Sequence, residues 1–174
     1  MPTSSAPEVL LDERRIRERV AELGARITRD YADRPLTLVG VLKGSFVFLA
    51  DLMRAIDLPL TVDFISISSY EGTRSTGVVQ ITGDLTRSIE GQDVLVVEDI
   101  VDTGLTMRYL VDNLSTRNPA SLEAAALLVK PSRARVRIPL AYRGFEIEDV
   151  FVVGYGLDHD GRYRNLPYVG VLRD

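Results

Sequence analysis

The chain contains no cysteine and only one histidine among its 174 residues. The absence of cysteine excludes disulfide bonds, thiol catalysis and thiolate metal sites. The single histidine, His159, lies in an Asp- and Gly-containing segment that is typical of a turn, and nothing in the sequence pairs it with a nucleophile. We therefore assign His159 no catalytic role.

Long apolar runs and an excess of basic charge are also missing. No run approaches the ~18 apolar residues of a membrane span, and residues 1–8 lack the apolar stretch of a signal peptide. We expect a cytoplasmic protein without a membrane partner, with residues 1–8 as a frayed tail. The net charge of −4 argues against nonspecific nucleic-acid binding, and 45% hydrophobic residues over this length predict one domain spanning 1–174.

The most informative segment is an apolar run that ends in acids. Residues 94–97 are all Val or Leu, which predicts a strand buried on both faces, and Glu98, Asp99 and Asp102 follow at once. Carboxylates crowded at the end of a buried strand repel one another and cost desolvation free energy. A bound cation or a polyhydroxyl ligand would offset that cost.

A predicted helix begins just after these acids. Apolar residues recur at helical spacing from Met107 to Leu114, so the loop at residues 102–106 lies at a helix N-terminus, where free N–H groups favour a phosphate. Thr103 and Thr106 add hydroxyl donors, and Gly104 permits close approach. Simple helix capping by Asp102 and Thr103 is the alternative, but capping does not explain Glu98 and Asp99. A sugar phosphate would satisfy both the acids and the loop.

The whole pattern predicts an α/β fold with a largely parallel central sheet flanked by helices. Helices are expected over 12–31, from Phe46 to Ile56 and after Gly104, and strands over 36–42, 62–69, 77–82, 94–99, 122–129 and 151–155. Lys43, Asp102 and Lys130 each follow a predicted strand directly. Because ligands bind beyond the carboxyl ends of parallel strands, we expect these three residues on one rim of the sheet.

The segment from Val97 to Thr106 resembles the phosphoribosyl pyrophosphate motif of type I phosphoribosyltransferases. Further segments resemble the hypoxanthine-guanine branch of that family, in unbroken order: Leu-Lys-Gly-Ser at 42–45, Ser-Ser-Tyr at 68–70, Leu-Val-Lys at 128–130, the run from Phe151 to Asp158, and Tyr-Arg-Asn-Leu at 163–166. The resemblance implies the type I phosphoribosyltransferase fold, with a small hood and a mobile loop at residues 70–76. It also implies a purine salvage enzyme that uses phosphoribosyl pyrophosphate, gives IMP or GMP with pyrophosphate, and forms a homodimer or homotetramer.

The resemblance assigns residues to the phosphoribosyl pyrophosphate site. The implied contacts are Lys43, Gly44, Ser69, Tyr70, Glu98, Asp99, Asp102, Thr103, Gly104, Leu105, Thr106 and Arg164. Leu105 departs from the basic residue often found there in the family, so one phosphate contact is expected to be missing. The resemblance also implies a cis peptide between Leu42 and Lys43, and Asp102 as the catalytic base that takes the purine proton.

On the purine side, the resemblance implies four contacts: Lys130 to the exocyclic oxygen, Phe151 as the stacking ring, Val152 through its main chain, and Asp158. A lysine donor favours a 6-oxopurine over adenine. Mg²⁺ is the implied cofactor, with Glu98, Asp99 and Asp158 as its ligands. Three alternatives stay open: a xanthine-guanine preference, a regulator that senses phosphoribosyl pyrophosphate, and a catalytically silent nucleotide-binding domain.

Overall fold

The computed structural model describes residues 6–69 and 79–173, apart from the side chain of Ser69. The predicted loop at 70–76, with Tyr70, and residues 1–5 of the predicted tail lie outside the described residues. Glu8, which we placed in that tail, is instead the first residue of a strand, β1 (Glu8–Leu11). Pro7 is buried and packs against Gly170, so residues 7 and 8 belong to the packed fold rather than to a frayed tail.

The core of the fold is a six-stranded sheet in the order β4-β3-β2-β5-β6-β7. Every neighbouring pair is parallel except β3 and β4, which confirms the largely parallel sheet. The strands are β2 (Leu36–Leu42), β3 (Leu60–Ser69), β4 (Val79–Gly83), β5 (Asp93–Val101), β6 (Ser121–Val129) and β7 (Tyr142–Glu146).

Three helices cover the two faces of this sheet: α1 (Glu13–Asp30), α2 (Phe46–Ala55) and α3 (Leu105–Ser115). On one face, α1 and α2 pack with Leu95 and Val97, while on the other α3 packs with Val94 and Val96. Successive strand residues point to opposite faces, so the four apolar residues of β5 supply both cores. The prediction of a strand buried on both faces is therefore confirmed.

A second, three-stranded sheet has the order β1-β9-β8, with β8 (Val152–Val153) and β9 (Val169–Val171). Both of its strand pairs are antiparallel, and it corresponds to the hood. The predicted strand at 151–155 shortens to two residues, because Gly154 and Tyr155 adopt positive φ angles and turn the chain. The sequence analysis did not identify β1, β7 or β9, since strands of three to five residues carry little periodicity.

The topology fixes where the predicted site residues lie. Strands β2, β5 and β6 are adjacent and parallel, so their carboxyl ends share one edge of the sheet. Lys43, Asp102 and Lys130 follow these three strands, which confirms the expected rim. Across residues 6–69 and 79–173, no helix is long and apolar enough to cross a membrane.

Candidate active site

The loop after β2 lies directly against an acid of β5. Gly44 has no room for a Cβ, because that atom would overlap the Oδ2 of Asp99. The preceding Leu42–Lys43 peptide is cis, as the resemblance implied. Buried Ser45 donates to the carbonyl of Val41 at 2.7 Å and closes the loop onto its own strand. The structure therefore brings Lys43 and Gly44 to the acids at the end of β5.

The loop between β5 and α3 forms a small pocket. Gly104 has a φ of +85° and precedes the first turn of α3, and a pocket of about 140 Å³ is lined by residues that include Glu98, Thr103 and Thr106. Thr103 Oγ1 accepts a hydrogen bond from the Leu105 N–H at 3.4 Å, although the N-cap residue of α3 is Gly104. A pocket at a helix N-terminus, with two hydroxyls in it, suits a phosphate group.

Asp102 does not act as a helix cap. Its Oδ1 accepts a 2.8 Å hydrogen bond from the Nε of Arg133, which lies in the turn after β6. This pairing was not predicted. The arginine-rich segment at 131–142, whose role the sequence leaves open, packs against this loop: Thr103 O accepts from the N–H groups of Arg135 and Val136 at 3.0 and 3.3 Å. The segment covers the loop before α3.

Glu98 is a buried acid in a region of negative charge. Burial raises its pKa well above 4.5, and the neighbouring Asp99 carboxylate raises it further. The Glu98 Oε1 also accepts the Asp99 N–H at 2.9 Å, which partly opposes the shift. A cation bound beside these two side chains would relieve both the repulsion and the desolvation.

We expect Glu98→Gln to increase stability in metal-free buffer by about 1–3 kcal/mol at neutral pH. Because the pKa of Glu98 is raised in the folded state, its contribution to stability is fully present below about pH 4.5 and is lost as pH rises through the folded value. Glutamine keeps the acceptor for the Asp99 N–H but does not ionise. Urea unfolding from pH 4 to 8 with a chelator present tests this. A gain that does not grow with pH would contradict it.

The loop that follows β8 lies against the loop after β2 and carries Asp158 and Arg164, two of the predicted site residues. A Cβ on Gly156 would overlap the carbonyl oxygen of Gly44, so the two loops are in backbone contact. Arg164 donates to Gly156 O at 2.6 Å and pairs with Asp158 at 2.9 Å. Asp158 also accepts the Gly161 N–H at 2.8 Å. Lys43, Gly44, Asp158 and Arg164 are thus joined through this contact.

The purine-side residues lie in two neighbourhoods. Lys130 is buried at 8% exposure and lines a cavity of about 650 Å³ together with Asp102. Phe151 lines a different cavity, of about 710 Å³, formed with β1 and β9. Its ring is 53% exposed and meets the ring of His159 edge-on at 5.4 Å. Val152, the predicted main-chain contact, is buried in β8.

An acidic residue that connects the Lys130 cavity to the Phe151 segment was not predicted from the sequence. Asp149, two residues before Phe151, lies 3.6 Å from the Lys130 Nζ and 3.5 Å from Arg133 Nη1. Neither residue carried a signal, because an exposed Asp in a loop and one arginine among several are typical of solvated surface.

Comparison with known proteins gives this arrangement its class. A family model described as a phosphoribosyl transferase domain matches residues 8–160, and the chain belongs to that family. Its relatives include the hypoxanthine-guanine phosphoribosyltransferases of Dictyostelium discoideum and of a Staphylococcus epidermidis strain. The first is 54% identical over 172 residues, covering 96% of each chain, and the second is 53% identical, covering 95% of this chain and 93% of the relative.

A solved structure agrees with these relatives. The crystal structure of a hypoxanthine phosphoribosyltransferase from Staphylococcus aureus has a TM-score of 0.91 and 51% identity, covering 95% of this chain and 91% of that one. The chain is thus a phosphoribosyltransferase enzyme of the hypoxanthine-guanine branch, and the type I fold is confirmed.

Proposed function

We propose that this enzyme transfers the 5-phosphoribosyl group of phosphoribosyl pyrophosphate to hypoxanthine and guanine, giving IMP and GMP with pyrophosphate. The observation that carries the proposal is the position of β5. Its end presents Glu98, Asp99 and Asp102 between the loop of Gly44 on one side and Lys130 on the other. A molecule with a phosphate, a diol and a leaving pyrophosphate, together with a purine at Lys130, would meet all these groups.

In the proposed complex, phosphoribosyl pyrophosphate spans the loops described above. Its 5-phosphate binds the residues at 103–106, where main-chain N–H groups and two threonine hydroxyls converge. Leu105 offers only its main chain there. The ribose hydroxyls bind Glu98 and Asp99. The pyrophosphate lies against Lys43, Gly44 and Arg164, since a guanidinium recognises phosphate oxygens in pairs. Ser69 and Tyr70 remain predicted contacts that the described side chains do not test.

The proposed reaction is a displacement at the anomeric carbon. A ring nitrogen of the purine forms the new bond to C1′ as the bond from C1′ to the pyrophosphate oxygen breaks, and the leaving group keeps that electron pair. The Asp102 carboxylate takes the N7 proton of the purine and becomes a carboxylic acid. Because Arg133 occupies only Oδ1, the second oxygen is the one we assign to this proton. Most of the acceleration then comes from positioning and charge stabilisation.

Purine recognition is proposed to use the same rim. The Lys130 ammonium donates to the exocyclic oxygen of a 6-oxopurine, and Asp102 faces the adjacent ring nitrogen in the same cavity. Adenine presents an amino group to Lys130, so two donors would meet without an acceptor. Phe151 is exposed enough to stack on the purine, an interaction worth roughly 1–3 kcal/mol. Val152 and Asp158 remain predicted contacts to the base.

The acids fit the proposed Mg²⁺ cofactor. Mg²⁺ prefers one or two carboxylates together with substrate phosphates and water, and Glu98 and Asp99 supply two adjacent carboxyl groups. Across the described residues, no group of three or more acidic or histidine side chains is arranged to hold a metal ion. Asp158, the third predicted ligand, already contacts Arg164 and Gly161. When bound, Mg²⁺ would neutralise the charge that develops on the leaving pyrophosphate.

Product analysis tests this proposal directly. The enzyme is incubated with phosphoribosyl pyrophosphate, MgCl₂ and hypoxanthine, guanine, xanthine or adenine in turn, and the nucleotides are separated by chromatography. IMP and GMP are expected, with little AMP. Xanthine conversion exceeding that of hypoxanthine would indicate the xanthine-guanine alternative. Absence of every product would contradict the proposed function.

We also propose that the chain associates with copies of itself, as a homodimer or homotetramer. Four exposed apolar side chains lie on α2 and β3: Phe46, Met53, Val62 and Phe64. Phe64 faces the α2 side of the sheet, because it borders Gly40 together with Leu49 of α2. An exposed apolar surface of this kind is typical of a protein interface.

We expect Phe64→Asp to convert the oligomer to monomers, because a carboxylate buried at a subunit contact is left without a partner. Size-exclusion chromatography with light scattering measures the mass. Val9→Asp is the matched control, since Val9 is also an exposed apolar strand residue but lies in the hood. An unchanged mass for F64D, or an equal change for V9D, would contradict the assignment of this surface.

A further inference from the structure

Four side chains of alternating charge form a chain along the purine side of the rim. Arg133 Nε lies 2.8 Å from Asp102 Oδ1, and Arg133 Nη1 lies 3.5 Å from Asp149 Oδ2. The other oxygen of Asp149 lies 3.6 Å from the Lys130 Nζ. The two outer members are the proposed base and the proposed donor to the purine oxygen. Of the two inner members, Arg133 enters the mechanism given above only by occupying one oxygen of Asp102, and Asp149 has no role in it.

The Lys130 ammonium depends on this chain of charges. Its side chain is nearly buried, and within residues 6–69 and 79–173 its one ion pair is with Asp149. A buried ammonium is costly unless a group of opposite charge lies beside it, so Asp149 stabilises Lys130 in its position. At 3.6 Å the contact is longer than a hydrogen bond, which leaves the ammonium hydrogens available to a ligand.

Arg133 does the same for Asp102. Its planar guanidinium contacts both carboxylates, so the orientation of one is fixed relative to the other. The hydrogen bond to Asp102 is the largest cause of the raised pKa of Arg133, and the negative charges of Asp102 and Asp149 add to it. Arg133 occupies one oxygen of Asp102 and leaves the second for a substrate proton.

Asp149 also stands on the segment that leads to the stacking ring. The Ile147 N–H donates to Val129 O at 2.9 Å, so this segment is attached to the end of β6, next to Lys130. Phe151 follows two residues after Asp149, and its carbonyl accepts the Leu172 N–H at 3.1 Å. The carboxylate of Asp149 therefore connects the Phe151 segment to both Lys130 and Arg133.

We propose that Asp149 and Arg133 are positioning residues that set the Lys130 ammonium and the Asp102 carboxylate at the spacing of the oxygen and ring N–H along one edge of a 6-oxopurine. The inference rests on the proposed function, because it takes Lys130 and Asp102 as the groups that contact the base. The proposed complex assigns neither positioning residue a contact with the phosphoribosyl group. Their removal is therefore expected to act on the purine side of the site and to weaken the preference for a 6-oxopurine over a 6-aminopurine.

The test compares D149N and R133M with the wild-type enzyme. We expect D149N to raise KM for hypoxanthine about three- to five-fold, the upper range for a partly exposed pair, with KM for phosphoribosyl pyrophosphate within about two-fold. R133M is expected to raise the same KM and to lower kcat as well, because it also frees Asp102. The ratio of kcat/KM for hypoxanthine to that for adenine should fall in both variants.

The double variant and a matched control sharpen the result. The increase in KM for hypoxanthine in D149N/R133M should be smaller than the product of the increases in the two single variants, because both residues act through the same contacts. D112N is the control: Asp112 is an exposed acid that pairs with Arg108 at 4.0 Å on α3, and its replacement should leave both KM values unchanged. D149E keeps the charge but lengthens the side chain, so its KM for hypoxanthine should lie between those of wild type and D149N. It replaces D149N in the comparison if D149N melts at a lower temperature than wild type.

Two outcomes overturn the inference: an unchanged KM for hypoxanthine in D149N, or equal increases in the KM values of both substrates. K130M separates this failure from failure of the proposed function. If K130M raises KM for hypoxanthine while D149N and R133M do not, the positioning role is wrong and the purine site stands. If K130M itself leaves that KM unchanged, the proposed assignment of Lys130 is wrong.

Discussion

Asp102→Asn is expected to lower kcat by about 10²- to 10⁴-fold, the usual contribution of a positioned general base. Asparagine preserves the shape of the side chain, and its carbonyl oxygen can still accept the hydrogen bond from Arg133 Nε. The amide nitrogen then occupies the position of the second oxygen. It carries two hydrogens and cannot take the N7 proton, so a donor would face a donor.

Steady-state kinetics and calorimetric titration with IMP together measure this effect. We expect the affinity for IMP to change far less than kcat, because the product no longer carries the proton that Asp102 accepts. Losses of equal size in kcat and in IMP affinity would show that Asp102 holds substrate rather than moving a proton. D112N, on the exposed face of α3, again provides the control for a lost carboxylate.

Gly156→Ala is expected to have the second large effect, on activity and stability together. Gly156 has a φ of +97°, and an added Cβ would overlap the backbone oxygen of Gly44, which cannot rotate away as a side chain could. The loops of Gly44 and Arg164 must then separate. Because a 1 Å misplacement can cost about 10²-fold in rate, we expect kcat/KM for phosphoribosyl pyrophosphate to fall by about that factor.

Gly91→Ala is the matched control for this substitution. Gly91 has a φ of +71°, but nothing lies within 4 Å of its added Cβ, and it follows no strand of the rim. We expect Gly91→Ala to lower the free energy of unfolding by only about 1–2 kcal/mol, the cost of a left-handed backbone conformation, without loss of activity. Urea unfolding and kinetics on both variants separate strain from displacement. Equal losses of stability in the two, with G156A fully active, would contradict the contact between the loops.

Much of the fold was predictable because the chain carries strong periodic signals. The apolar run of β5 and the amphipathic pattern of α1 are both longer than the apolar patterns of loops. The alternation of strands and helices along the chain then predicts a parallel sheet. The rim followed from this, since Lys43, Asp102 and Lys130 come directly after strands. By contrast, the hood depends on pairing between β1 and β9, which lie at opposite ends of the sequence. No local pattern encodes that pairing.

The site was predictable only in part, for a related reason. Motif and strand position identified the acids of β5 and the lysine after β6. The partners of those groups could not be read, because Arg133 and Asp149 act through tertiary contacts that have no spacing rule. The contact between Gly156 and Gly44 is of the same kind. The sequence identified the side chains that carry the chemistry, whereas the residues that position those side chains are seen only in the folded structure.

The carbonyl of Thr103 has a wider consequence. It lies in the loop assigned to the sugar phosphate, yet it accepts two N–H groups from the segment that carries Arg133 on toward β7. A shift of that loop on loading one substrate would alter the anchoring of the other pocket, and the two ligands would then act as heterotropic effectors of each other. Since such linkage is reciprocal, hypoxanthine would then change the affinity for phosphoribosyl pyrophosphate by the same factor that phosphoribosyl pyrophosphate changes the affinity for hypoxanthine.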